Sequence, residues 1–199
     1  MDIQQRNLGP SSNGDILIID GLSLAEKSCE HLCDNEVPDE VTGLTKDQKD
    51  HIRKAWAIVC TMKTKFGVEL FANLFTKFPS AQQHFVQLKD MTDMDVLRKS
   101  PKMRAHGFRV VSAFCSLVEN LDTPDVFIEL LKNTGYSHGQ RAMPIPHLYF
   151  EELGNIFLQT MGELLGDKFT PKAKEAWSLA YGFMCKVILD GMDEVQKPQ

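Results

Sequence analysis

Residues 100–138 read SPKMRAHGFRVVSAFCSLVENLDTPDVFIELLKNTGYSH, and this stretch decides the fold. It divides into two helical segments, each carrying one histidine. Ser100 suits an N-cap, and Pro101 suits the first helical position, where a missing N–H costs nothing. Met103, His106, Val110, Ala113, Phe114, Leu117 and Leu121 then recur at steps of three or four. That is an amphipathic stripe with His106 on it and Arg109 at its edge. The second segment starts in the same way, with Thr123 as cap, Pro124 next and Asp125 at the positive end of the helix dipole. Phe127, Leu130 and Leu131 supply its apolar face. Gly135 is expected to weaken its end, and His138-Gly139 to close it.

A single histidine on an apolar face is ordinarily a hydrogen-bonded core residue. Two of them on successive helices suggest something else, because imidazoles from opposite sides hold a planar iron cofactor. Ser137 is placed to accept the second ring proton of His138 and fix its tautomer. On these residues alone, a metal or haem site and a pair of structural histidines both remain open.

Outward from this stretch the chain continues helical. Thr45 and Gln48 form a capping box, followed by a stripe of Ile52, Ala55, Trp56 and Val59. Phe66, Leu70, Phe71, Leu74, Phe75 and Phe78 mark a second helix, stopped by Pro79. SAQQHF reads as a short helix ending at Phe85, and KDMTDMDVLRK as a loop or weak helix. Downstream, Pro144 and Pro146 make a corner. A long helix then carries Leu148, Leu153, Ile156, Phe157, Met161, Leu164 and Leu165, ended by Gly166. Thr170-Pro171 opens the last helix, with Ala173, Trp177, Ala180, Tyr181, Met184, Ile188 and Met192. The expected architecture is all-α, six to eight helices joined by corners.

The 199 residues suffice for one domain and a tail, with 43% apolar and 25% charged residues. A net charge of −5 without a basic cluster argues against nucleic acid as partner. No apolar run reaches the ~20 residues of a membrane span. MDIQQRN lacks the basic and apolar regions of a signal peptide, Asp2 excludes myristoylation, and the KPQ end has no prenylation cysteine. Five cysteines fit reduced thiols, and a cytoplasmic protein is expected. Residues 1–43 read as a flexible N-terminal extension, 44–195 as the domain and 196–199 as a short tail. Cys29 and Cys33 would share a helix face, but solvated thiols are the plainer reading. Cys60, Cys115 and Cys185 are expected as buried thiols, and His31, His51, His84 and His147 as surface or corner residues.

From Leu44 to Val195 the chain resembles a globin. Trp56 lies 12 residues after Leu44, as in the first globin helix. Phe85, six residues after Pro79, matches the phenylalanine that stacks on haem. His106, 21 residues after Phe85, matches the distal histidine, with Val110 its usual companion. His138 matches the proximal histidine and Ser137 its orienting serine, and FTPKAKEAWSLAYG resembles the start of the last helix. Within the family the likeness is greatest to cytoglobin and neuroglobin, with globin X nearby. FPSAQQHF and VENL look like cytoglobin, whereas LFANLF looks like neuroglobin, in which Phe71 has a bulky distal counterpart. The two redox-linked cysteines of cytoglobin fall at Lys63 and Phe108, so that disulfide is excluded. Neuroglobin's loop cysteines are missing from KDMTDMDVLRK, and Thr134 stands where an apolar haem contact is usual.

The resemblance implies a globin fold around a haem pocket and a haem b cofactor held by His138. It implies His106 as the distal iron ligand when no gas is bound, giving a bis-histidyl, six-coordinate site. Phe71, Phe85, Val110 and Ile145 would supply a dry pocket, and Arg109, with Arg141 a weaker candidate, would meet a propionate. The implied partners are O2, NO or CO and a reductase or electron-transfer protein, in a monomer or weak dimer. The implied roles are oxygen binding, transport or sensing, or redox signalling. The alternative is an enzyme with NO dioxygenase or nitrite reductase activity.

Overall fold

The computed structural model describes residues 36–196, and they are all helical apart from turns. Seven α-helices follow one another: α1 Lys46–Cys60, α2 Lys63–Lys77, α3 Met94–Lys99, α4 Pro101–Glu119, α5 Pro124–Gly139, α6 His147–Leu165 and α7 Pro171–Gln196. Two 3-10 turns, Pro79–His84 and Gly166–Lys168, complete the elements of the described residues. The expected all-α architecture is found, and the helix count falls within the expected range. The reading of residues 1–35, including Cys29 and Cys33, lies outside the described residues.

The helix starts obey local chemistry. Thr45 accepts from the Gln48 amide at 3.2 Å, and the Gln48 side chain accepts from the Thr45 amide at 2.9 Å, a complete capping box. Pro101, Pro124 and Pro171 each open a helix. Ser100 holds the N-cap position of α4, but its side chain caps nothing. Asp93 caps α3, which makes the KDMTDMDVLRK segment half loop and half short helix.

Packing refines the stripes. In α4 the buried line is Met103, Gly107, Val111, Cys115 and Val118, with Leu117 of the expected stripe buried beside it. The expected line through His106, Val110, Ala113 and Phe114 runs beside it and faces a cavity instead. A periodic stripe tells which residues avoid water, not whether they meet core or cofactor space. Leu148 is a correction: it is 50% exposed at the start of α6, because the helix turns its buried face elsewhere. Gly135 is a second correction. It does not weaken α5; a Cβ there would stand 2.3 Å from the Ile188 carbonyl oxygen, so the glycine lets α5 lie against α7. Cys60 is a third: it is exposed, while Cys115 and Cys185 are buried.

The centre is an aromatic cluster. Trp56 lies 5.2 Å from Trp177 and 5.6 Å from Phe114, and Phe157 stacks on Phe114 at 5.1 Å, ring centre to ring centre. Such rings bury the largest apolar areas available and set the spacing of α1, α4, α6 and α7. At the N-terminal edge, Asp39 accepts from the amides of Val41 and Thr42 and pairs with Lys49 at 3.1 Å. Lys49 also reaches Asp122 at 3.2 Å, joining that turn to the corner between α4 and α5. Lys63 lies 5.9 Å from the Phe108 ring centre, a cation over an aromatic face that joins α2 to α4.

Candidate functional site

Between α2, α4, α5, α6 and α7 lies a cavity of about 480 Å³. That is the size of a site for a sizeable organic ligand or cofactor. Phe71, Phe85, His106, Arg109, Val110, His138 and Ile145 all line it. The two histidines therefore enter one shared space, as their helices suggested. Leu74, Phe114, Leu117, Leu153 and Met184 make the remaining walls largely apolar.

His138 stands on the last turn of α5. Its Nδ1 lies 2.8 Å from the Thr134 carbonyl oxygen, one turn back. That carbonyl can only accept, so Nδ1 carries the hydrogen and Nε2 keeps its lone pair. Ser137 plays a smaller part than expected. Its hydroxyl donates to the Thr134 carbonyl at 2.9 Å and is 3.5 Å from Nδ1, too far to be the main partner. Burial holds the His138 imidazole below its ordinary pKa, opposed by the Thr134 bond and helped by Arg141. Phe150 meets the ring edge-on, 5.2 Å between centres. The Thr134 hydroxyl is spent on the Leu130 carbonyl at 2.9 Å, so it offers the cavity no free donor.

His106 stands on the second turn of α4 between two aromatic edges. Its ring centre is 4.6 Å from Phe71 and 5.0 Å from Phe85. Burial first, then the charges of Arg109 and Arg141 and the neighbouring His138, push its pKa down to about 4. Both imidazoles are thus neutral near pH 7, the form that binds metal.

A second hollow of about 450 Å³ adjoins the first and shares His84, Phe85, His106, Arg109 and Arg141 with it. Lys102 joins these cations, and no carboxylate lines that hollow. Arg141 donates to the His84 carbonyl at 3.2 Å, which fixes the corner after α5 over this opening. The Nδ1 of His84 is buried with no partner among the described residues. His84, half-buried at the corner that ends the first 3-10 turn, thus lines both hollows.

The globin family profile matches residues 68–188, more than half of the chain. The chain is a globin. Cytoglobin-2 of Danio rerio is 34% identical over 135 residues, covering 68% of this globin and 75% of its own length. Cytoglobin-1 of Oryzias latipes is 32% identical over 155 residues, covering 78% and 87%. The fold also matches the crystal structure of a hexacoordinated heme protein from an anhydrobiotic tardigrade. The TM-score is 0.73 at 19% identity, with 78% of this globin and 99% of that chain covered.

The family implies haem, and the residues present fit that group. Two neutral imidazoles enter an apolar cavity of suitable size, one with its Nε2 lone pair freed, beside a cationic opening suited to carboxylates. Sequence reasoning missed Phe150, Tyr149 and Cys185 as lining residues. Phe150 lies 12 residues after His138, and only the path of the corner between them brings the two rings together. Among the described residues no three His, Cys, Asp or Glu side chains converge as a separate metal site. No helix among them is long and apolar enough to cross a membrane.

Proposed function

We propose that this globin holds haem b between His138 and His106 and reversibly binds O2, NO or CO in competition with His106. The observation that carries this reading is the pair of half-buried, neutral imidazoles in one apolar cavity, with Nδ1 of His138 committed to the Thr134 carbonyl. When bound, the iron porphyrin supplies a coordination position that a diatomic gas and an imidazole can exchange. The chain does the rest. Thr134 fixes the His138 tautomer and strengthens its Nε2 as a donor. Phe71 and Phe85 confine the His106 ring, while Val110, Phe114 and Ile145 exclude water. Arg109 and Arg141 stand where they would meet the propionates. Competition by His106 reduces apparent gas affinity to the intrinsic affinity multiplied by the fraction of molecules in which the ring has swung away. Oxygen binding or sensing, or redox signalling with an electron-transfer partner, follows from such a site. The three described cysteines are free thiols, in keeping with a cytoplasmic setting.

A second reading, nitrite reduction or NO dioxygenation with a reductase, is favoured by the cationic opening. Lys102, Arg109 and Arg141 would attract a small anion such as nitrite toward the cavity.

The test is the visible spectrum of the dithionite-reduced protein under argon, beside His106→Leu. Two sharp bands in the parent that become one broad band in the variant support His106 as the sixth ligand. One broad band in both proteins removes His106 from the coordination sphere. Failure to take up haem sinks the whole reading. A nitrite-dependent NO yield that falls in Arg109→Gln, with CO affinity unchanged, would favour the second reading.

A further inference from the structure

Cys60 is the last residue of α1 and Cys115 lies in the fourth turn of α4. Their sulfur atoms are 3.3 Å apart, although 54 residues separate them in the chain. One is exposed and the other buried. The buried sulfur also accepts from the indole N–H of Trp56 at 3.4 Å. Cys185 lines the large cavity and has no part in this contact. We infer that Cys60 and Cys115 form a reversible thiol–disulfide pair, a modification site for oxidants of the low-molecular-weight disulfide class. The site is independent of the cavity and of whatever occupies it.

The roles follow from exposure and contact. Cys60 is the thiol that a soluble oxidant can reach, and Cys115 is the resolving thiol already beside it. In the first step the Cys60 thiolate attacks one sulfur of the small disulfide. One molecule of small thiol leaves, and a mixed disulfide stays on Cys60. In the second step Cys115 gives up its proton and attacks the Cys60 sulfur, expelling the second small thiol. Two protein thiols are oxidised to one disulfide, and one small disulfide is reduced to two thiols. The Trp56 N–H steadies negative charge on Cys115 as it attacks. Burial, together with the Cys115 contact, raises the Cys60 pKa to about 11. The first step is therefore slow near neutrality and quickens with pH, so the pair records sustained oxidation rather than brief pulses. The product ties the end of α1 to the C-terminal part of α4.

The test uses the full-length, haem-loaded protein carrying Cys29→Ser and Cys33→Ser, incubated with oxidised glutathione at about pH 8.5, near the ordinary thiol pKa. Peptides mapped without reduction should show Cys60 joined to Cys115 within one chain, the protein lighter by two hydrogens and Cys185 free. Dithiothreitol should part them. Cys115→Ser should halt at a glutathione adduct on Cys60. Cys60→Ser, a surface change that leaves the core intact, should form neither adduct nor link. An adduct on Cys60 that never resolves while Cys115 is present, a link between two chains, or thiols that stay unmodified would each overturn the inference.

Discussion

The backbones of Gly67 and Gly107 touch: a Cβ on Gly67 would stand 2.4 Å from the Gly107 carbonyl carbon, and one on Gly107 2.7 Å from that of Gly67. No side chain fits between α2 and α4 at this crossing. Phe71 sits one turn after Gly67 and His106 directly precedes Gly107, so the crossing sets how far apart those two rings stand.

Gly107→Ala should force the helices apart. Overpacking of this kind costs about 1–3 kcal/mol, and relief requires backbone movement. Urea unfolding should show that loss, and the reduced spectrum should show weaker binding of His106. A variant that keeps both stability and spectrum would mean that the crossing is looser than its geometry implies.

Phe71→Leu should free the His106 ring on one side. With less confinement the ring spends more time swung away, and apparent CO affinity should rise several-fold. Equilibrium CO titration measures this. An unchanged affinity would assign the confinement to Phe85 alone.

Acid should weaken the apoprotein through its histidines. His106 titrates at about 4 when folded and near its ordinary 6.5 when unfolded, and His138 is lowered too. Between those values the unfolded chain binds more protons than the folded one. Stability is thus complete above pH 6.5 and declines as pH falls toward 4. The His106 share is at most about 3 kcal/mol. Asp39, held at about 2, adds a further loss only below 3.8. Urea midpoints across this range should fall less steeply in His106→Leu; parallel curves would refute the assignment.

Lys49→Met should loosen the N-terminal turn. Lys49 is buried between Asp39 and the well-exposed Asp122, which also pairs with Arg53. Losing the shared cation should destabilise by about 1–3 kcal/mol, less than a fully buried pair because Asp122 is solvated. A double-mutant cycle with Asp122→Asn should show coupling, and additive effects would mean that the two residues act separately.

Much of this was legible in the chain. Pro101, Pro124 and the Thr45–Gln48 box announce helix starts because capping is local chemistry. His106 and His138 stood out because a polar ring on an apolar face needs a reason. What stayed hidden depends on neighbours far away in sequence. Gly135 reads as a flaw in a helix until α7 lies across it. Val110 and Val111 are adjacent and equally apolar, yet one meets the cavity and the other the core. Phe150 and His84 become cavity residues only when the corners fold over. The exposure of Cys60 follows from its place at the last turn of α1, which no periodicity reports.

The chain has two tryptophans, and both stand against Phe114, a cavity wall. A porphyrin in that cavity would take up their excitation by energy transfer and leave them dark. Emission would return as the cofactor departs. Ultraviolet light alone would then read how full a sample is, with no label attached.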